Sequence, residues 1–101
     1  MTKVLQIDFP YTGPFGEEMA EMSRELAHSI TEEPGFIWKI WTESSEANQG
    51  GGIYLFTDQP AAEAYLQKHA ARLKEWGINE INAKIFDINQ ELTHLTHGPT
   101  R

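Results

Sequence analysis

Few side chains in this 101-residue chain are equipped for chemistry, and the best placed of them is a histidine. Projected at about 100° per residue, the stretch from Ala62 to Trp76 gathers Ala62, Tyr65, Leu66, His69, Ala70, Leu73 and Trp76 on one arc. Glu63, Gln67, Ala71, Lys74 and Glu75 lie elsewhere around the helix. His69 sits mid-arc, one turn from Tyr65 and one from Leu73, so it is expected to face a sheet carrying Phe36, Trp38 and Ile40. Burying a neutral imidazole without a partner costs about 1–3 kcal/mol, so His69 needs a hydrogen bond, an ordered water or a cavity. Two roles are open to it. It is either a core histidine bonded to Tyr65 or to a backbone carbonyl, or it lines an internal pocket as base, proton donor or hydrogen-bonding group. In the second case Tyr65 orients it and Trp38 stacks on a flat guest, while Phe36, Ile40, Met22 and Trp76 complete the binding walls.

Other chemistries are excluded or weak. The chain has no cysteine, which rules out thiolate nucleophiles, disulfides, zinc–thiolate sites and iron–sulfur clusters. His28 projects away from the apolar stripe Phe15, Met19, Met22, Leu26 and Ile30, and is expected on the surface. His94 and His97 lie three apart near the end of the chain with no third ligand close in sequence, so no metal is expected there. Gly50-Gly51-Gly52 precedes a strand and is followed by no Lys-Ser/Thr pair, unlike a phosphate cradle. Glu17, Glu18, Glu21, Glu25, Glu32 and Glu33 read as a solvated acidic face. A net charge of −7 disfavours nucleic acids and anionic membranes, and Lys68, Arg72 and Lys74 make only a short basic stripe. No apolar run approaches the ~20 residues of a membrane span, and Met1 to Phe9 alternates polar and apolar, unlike a secretory signal. A cytoplasmic location is therefore expected, with no cofactor, no nucleic acid and no membrane partner.

The elements that must position these residues follow from periodicity and punctuation. Lys3 to Phe9 alternates with period two, Gly13-Pro14 opens a helix reaching Ile30, and Pro34-Gly35 ends it. Phe36 to Glu43 and Ile53 to Thr57 are strands; Asp58 caps a helix that runs to about Trp76 and stops at Gly77. Glu80 to Ile88 is a fourth strand, and residues 89–101 read as a loosely held tail of a single domain spanning 1–101. The order strand, helix, strand, strand, helix, strand predicts an α+β fold: a ferredoxin-like βαββαβ unit with a four-stranded antiparallel sheet and both helices on one face.

Strict alternation places Leu5, Ile7, Phe9, Phe36, Trp38, Ile40, Ile53, Leu55, Ile81, Ala83 and Ile85 under the helices. The opposite face then carries Ile37, Lys39, Trp41, Tyr54, Phe56 and Phe86 among others. At roughly 25 cal/mol per Å² of apolar surface, leaving such a face wet forfeits several kcal/mol. A sheet-to-sheet homodimer through these residues, a dimeric α/β barrel, is the expected remedy.

Several segments resemble a known family. Gly13-Pro14-Phe15-Gly16, the run from Glu33 to Glu43 (EPGFIWKIWTE), Gly51 to Asp58 (GGIYLFTD) and Ala64 to His69 (AYLQKH) resemble the YdhR-type mono-oxygenase family of the dimeric α+β barrel superfamily. The resemblance implies a sheet-paired dimer and a pocket between sheet and helices in each subunit. It also implies a mono-oxygenase acting without a cofactor on an aromatic or polycyclic small molecule. It supplies no catalytic residues, and for that chemistry the candidates remain those read from the residues above: His69 as base or hydrogen-bond partner, with Tyr65 orienting it and Trp38 stacking on the ring. Haem-degrading relatives carry an asparagine on the first strand; Gln6 and Asp8 stand here, which speaks against haem. The alternative is a non-catalytic small-molecule-binding or stress-response module using the same pocket.

Overall fold

The computed structural model describes residues 1–100. Its elements are β1 (Lys3–Pro10), α1 (Gly16–Met22), α2 (Arg24–Ile30), β2 (Phe36–Ser44), β3 (Gln49–Phe56), α3 (Gln59–Glu75), β4 (Asn82–Asp87) and α4 (Gln90–Leu95). The strands form one sheet in the order β2-β3-β1-β4 with every neighbouring pair antiparallel. This is the expected ferredoxin-like α+β fold, with its first helix in two pieces and a short helix added at the end.

Local chemistry sets the boundaries of α3, the helix that carries His69. The Asp58 carboxylate accepts the Ala61 N–H at 2.9 Å, with Pro60 in the first turn. At the other end Gly77 takes a φ of +86°, letting its N–H reach the Lys74 carbonyl (3.0 Å) and that of Ile78 reach Leu73 (2.9 Å). That pair of bonds is a Schellman stop. The helix expected from Pro14 to Ile30 breaks at Ser23, whose buried hydroxyl donates to the Met19 thioether at 3.3 Å. The core joins Leu5, Ile7, Tyr54 and Phe56 of the sheet to Ile30 of α2 and to Ala62, Tyr65 and Leu73 of α3.

Alternation assigns β1 and β4 correctly, because Leu5, Ile7 and Phe9 and then Ile81, Ala83 and Ile85 all pack on this core. It fails on β2 and β3. In β2 the register runs Phe36↔Phe56 and then Trp38↔Leu55, so Ile37 is an extra residue. A one-residue bulge turns every following side chain to the opposite face. Phe36 stays under the helices, edge-on to Phe56 at 6.1 Å. Beyond the bulge Lys39 and Trp41 turn to the helix side, while Trp38 and Ile40 face away. In β3, Tyr54 and Phe56 are fully buried on the helix side, with Ile53 and Leu55 behind them. Ile53-Tyr54-Leu55-Phe56 is apolar at every position, so no polar residue marked its phase.

Tyr54, Phe56, Lys39 and Trp41 therefore do not form the outer face. Its apolar side chains are instead Val4, Trp38, Ile40, Ile53, Leu55 and Phe86. The segment read as a loose tail is tied down. Asn89 caps α4 through the Leu92 N–H (3.1 Å), the Thr100 hydroxyl donates to Gln90 (2.8 Å), and the Trp38 indole N–H donates to the Pro99 carbonyl at 2.7 Å. No helix is long and apolar enough to cross a membrane among the described residues.

The glycine run lies inside β3 and lets strands and rings approach closely. A Cβ at Gly51 would fall 2.1 Å from the Ile7 carbonyl oxygen, one at Gly50 3.1 Å from the Tyr11 ring, and one at Gly52 2.6 Å from Lys39 Cε. Gly51→Ala is expected to lower the unfolding free energy by about 3 kcal/mol, since the obstacle is backbone that cannot swing away. A urea titration checks this, and an unchanged midpoint would contradict the β1–β3 register.

Candidate active site

Between α1, α2, α3 and the helix side of β2 and β3 lies a cavity of about 470 Å³, within the range of small-molecule sites. Its walls are mainly apolar and aromatic, including Phe9, Trp41, Tyr54, Trp76 and Met22. Polar groups reach it from Lys39, His69, Ser23, Glu25 and Glu43. Glu43 is already engaged, since its carboxylate accepts the Gly16 N–H at 2.9 Å and ties the start of α1 to β2.

His69 is only 4% exposed and stacks on Tyr65, with ring centres 5.3 Å apart. One turn along α3, Arg72 brings Nε to 3.2 Å and Nη2 to 2.8 Å from His69 Nδ1. A guanidinium can only donate, so Nδ1 is the acceptor and the proton of the neutral ring is assigned to Nε2. Nε2 has no protein partner, and among the described residues no buried side-chain nitrogen is left without one. Nε2–H must therefore open onto the cavity that His69 lines. Burial, reinforced by the charges of Lys39 and Arg72, pushes the His69 pKa down to about 3. At neutral pH His69 is thus a fixed hydrogen-bond donor, which among the roles open to it from sequence favours the hydrogen-bonding group over the base.

The base is Lys39. Its ammonium position lies 3.3 Å from the centre of the Trp41 ring and 4.7 Å from that of Tyr54. The ion pairs among the described residues are Lys3–Asp87 and Lys68–Glu33, so no carboxylate holds Lys39 in its charged form. Burial first, then repulsion from Arg72, lowers its pKa to about 7. Tyr54 goes the other way: burial raises its phenol and keeps it protonated, with the Tyr65 hydroxyl donating to it at 3.3 Å.

The structure brings together some of the residues singled out from sequence and separates others. His69, Met22 and Trp76 line the cavity. Tyr65 lies against the His69 ring, inside the core. Phe36 packs on Phe56 in the core, and Trp38 and Ile40 are on the far side of the sheet, so neither can stack on a guest. Lys39, Trp41, Tyr54 and Arg72 were missed. A lone lysine inside Phe36-Ile37-Trp38-Lys39-Ile40-Trp41 was the available signal, but only the bulge decides which side it takes. No three His, Asp or Glu side chains converge to hold a metal among the described residues.

His69 links the site to stability. Its folded pKa of about 3 lies below the 6.5 of an ordinary histidine, so as pH falls the unfolded chain takes the proton first. The stabilisation is fully present above pH 6.5 and drains away between 6.5 and about 3. By pH 4 the parent is expected to have lost about 3 kcal/mol more than His69→Phe. Denaturant titrations at pH 7 and pH 4 check this, and equal losses would contradict a buried neutral His69.

Comparison with known proteins adds a family and a set of structural neighbours. The family model described as "Putative mono-oxygenase ydhR" matches residues 4–99. No curated protein matches the chain in sequence. Among solved structures, the cofactor-independent oxygenase SnoaB from Streptomyces nogalater superposes with a TM-score of 0.59 at 17% identity, covering 88% of this chain and 93% of that one. A point mutant of the same oxygenase gives 0.59 at 20% identity, covering 88% and 94%. A protein from Deinococcus radiodurans, titled a putative antibiotic biosynthesis monooxygenase, gives 0.57 at 13%, covering 88% and 93%. At these identities the neighbours establish the fold, while the family match spans nearly the whole length. The chain belongs to the ydhR family of putative mono-oxygenases.

Proposed function

We propose that the protein is a cofactor-free mono-oxygenase for an electron-rich hydroxyaromatic or anthrone-like compound, with Lys39 as general base. The observation that carries this is a lysine amine facing an aromatic-walled cavity with no carboxylate partner among the described residues. A base with a pKa near the working pH is best matched to proton abstraction. The neutral amine takes a proton from the substrate, and the resulting anion passes one electron to O₂. The radical pair collapses to a C–O bond, and the peroxide formed recovers the proton from the Lys39 ammonium. Loss of water then breaks the O–O bond and leaves a carbonyl. One oxygen atom enters the product and the other leaves as water, with all electrons supplied by the substrate.

The remaining groups act by position. His69 Nε2–H can donate to the substrate oxygen as negative charge develops, and being fixed beforehand it needs no reorganisation. Trp41, Trp76 and Tyr54 offer faces to a planar guest and exclude water from the anion. SnoaB, a cofactor-independent oxygenase of the same fold, supports the reading.

The outer face completes the proposal. Ile40 is 52% and Phe86 46% exposed beside Trp38 and Val4, a patch that suits a second copy of the chain packed sheet to sheet.

Oxygen uptake with a panel of phenols, hydroquinones and anthrones tests the chemistry. Lys39→Met is expected to lower kcat about 100-fold or more. In the parent, the rate should rise as pH climbs through about 7, because the ammonium below that pH cannot accept a proton. Parent-like turnover by Lys39→Met would remove Lys39 from the role. Light scattering is expected to show a dimer, and Ile40→Glu combined with Phe86→Glu a monomer; a monomeric parent would exclude the sheet pairing.

A further inference from the structure

We propose that Lys39 is also a carbonyl-capturing amine, and that the cavity takes aromatic aldehydes as imines bonded to its Nζ. This goes beyond the oxygenase reading: it uses the same cavity and amine but involves no oxygen.

Three features build the position. The bulge at Ile37 turns Lys39 inward from a strand whose strict alternation would have pointed it out. Gly52 clears the path of its stem, since a Cβ there would sit 2.6 Å from Lys39 Cε. The Trp41 and Tyr54 rings then bracket Nζ, at 3.3 Å and 4.7 Å from their centres. Nζ makes no hydrogen bond among the described residues and yet is not sealed in as an unpartnered buried atom, so it opens onto the cavity.

That setting is the one in which a lysine becomes a nucleophile: an apolar pocket, a neighbouring cation in Arg72, and no carboxylate among the described residues to hold the proton. The other lysines are placed differently. Lys3 and Lys68 are ion-paired with Asp87 and Glu33, and Lys74 and Lys84 are exposed.

In the step itself, the Nζ lone pair attacks the carbonyl carbon and forms a C–N bond while the C=O π pair moves to oxygen. The carbinolamine then loses that oxygen as water, which carries off both amine hydrogens, and leaves C=N. Nothing is oxidised or reduced. His69 Nε2–H, which opens onto the same cavity, is available to hydrogen-bond the carbonyl oxygen as charge builds on it. The indole faces of Trp41 and Trp76 select a flat ring over an alkyl chain.

The test is reductive trapping of the parent protein at pH 7 under argon, with 2-naphthaldehyde and sodium cyanoborohydride, followed by peptide mass mapping. Lys39 should be labelled at least about tenfold faster than Lys3, Lys68, Lys74 or Lys84. Propionaldehyde should lose most of that preference, and Lys39→Arg should abolish the fast label. Label spread evenly over the lysines, or confined to the Met1 amino group, would overturn the proposal. Trapping without oxygen uptake on any phenol or anthrone would sink only the oxygenase reading, and uptake without trapping only this one.

Discussion

A lysine amine half-buried against two aromatic faces, with cationic Arg72 nearby and, among the described residues, no carboxylate to answer it, is the constraint on which the site depends. Protein interiors tolerate charge poorly, so such a group resolves the conflict by giving up its proton. Arg72 cannot do the same, and it directs its hydrogen bonds onto His69 Nδ1 instead. The outcome is a division of labour on one wall of the cavity: an amine that can accept a proton, and an imidazole whose Nε2–H can donate a hydrogen bond. Both states are set before any substrate arrives.

The backbone uses local irregularities to reach this arrangement. A regular β2 would have pointed Lys39 and Trp41 away from the helices, as alternation predicts. The extra residue at Ile37 reverses that, and the glycines of β3 open the room the reversal requires. The same reversal sends Trp38 to the outer face, where its indole anchors the end of the chain through Pro99. Cavity and outer face are thus two consequences of one bulge.

Legibility from sequence tracked how strongly each residue's neighbours constrained it. The caps of α3 were readable because Asp58, Pro60 and Gly77 act locally, and His69 was placed on the buried arc because a 17-residue helix holds its phase. The order of elements followed, and with it the fold. β1 and β4 were sorted correctly because polar residues alternate with their apolar ones. β2 and β3 were not: a bulge has no signature in a run as uniformly apolar as Phe36-Ile37-Trp38, and Ile53 to Phe56 offers no polar residue to fix its phase. The site residues of β2 beyond the bulge inherited the error, which is why Trp38 and Ile40 stood in for Lys39 and Trp41. The helical residues His69, Met22 and Trp76 do line the cavity; which of the roles open to His69 applies was not legible, because it depends first on burial and then on the charges of Lys39 and Arg72.

The most direct test is an NMR titration of the parent protein carrying ¹³C-labelled lysine, following the Lys39 Cε and Hε shifts from pH 5 to 11. A midpoint of about 7 for Lys39, well separated from the other lysines, is the predicted result. A Lys39 that titrates with them, near 10.5, would show an ordinary ammonium in the cavity and contradict the account.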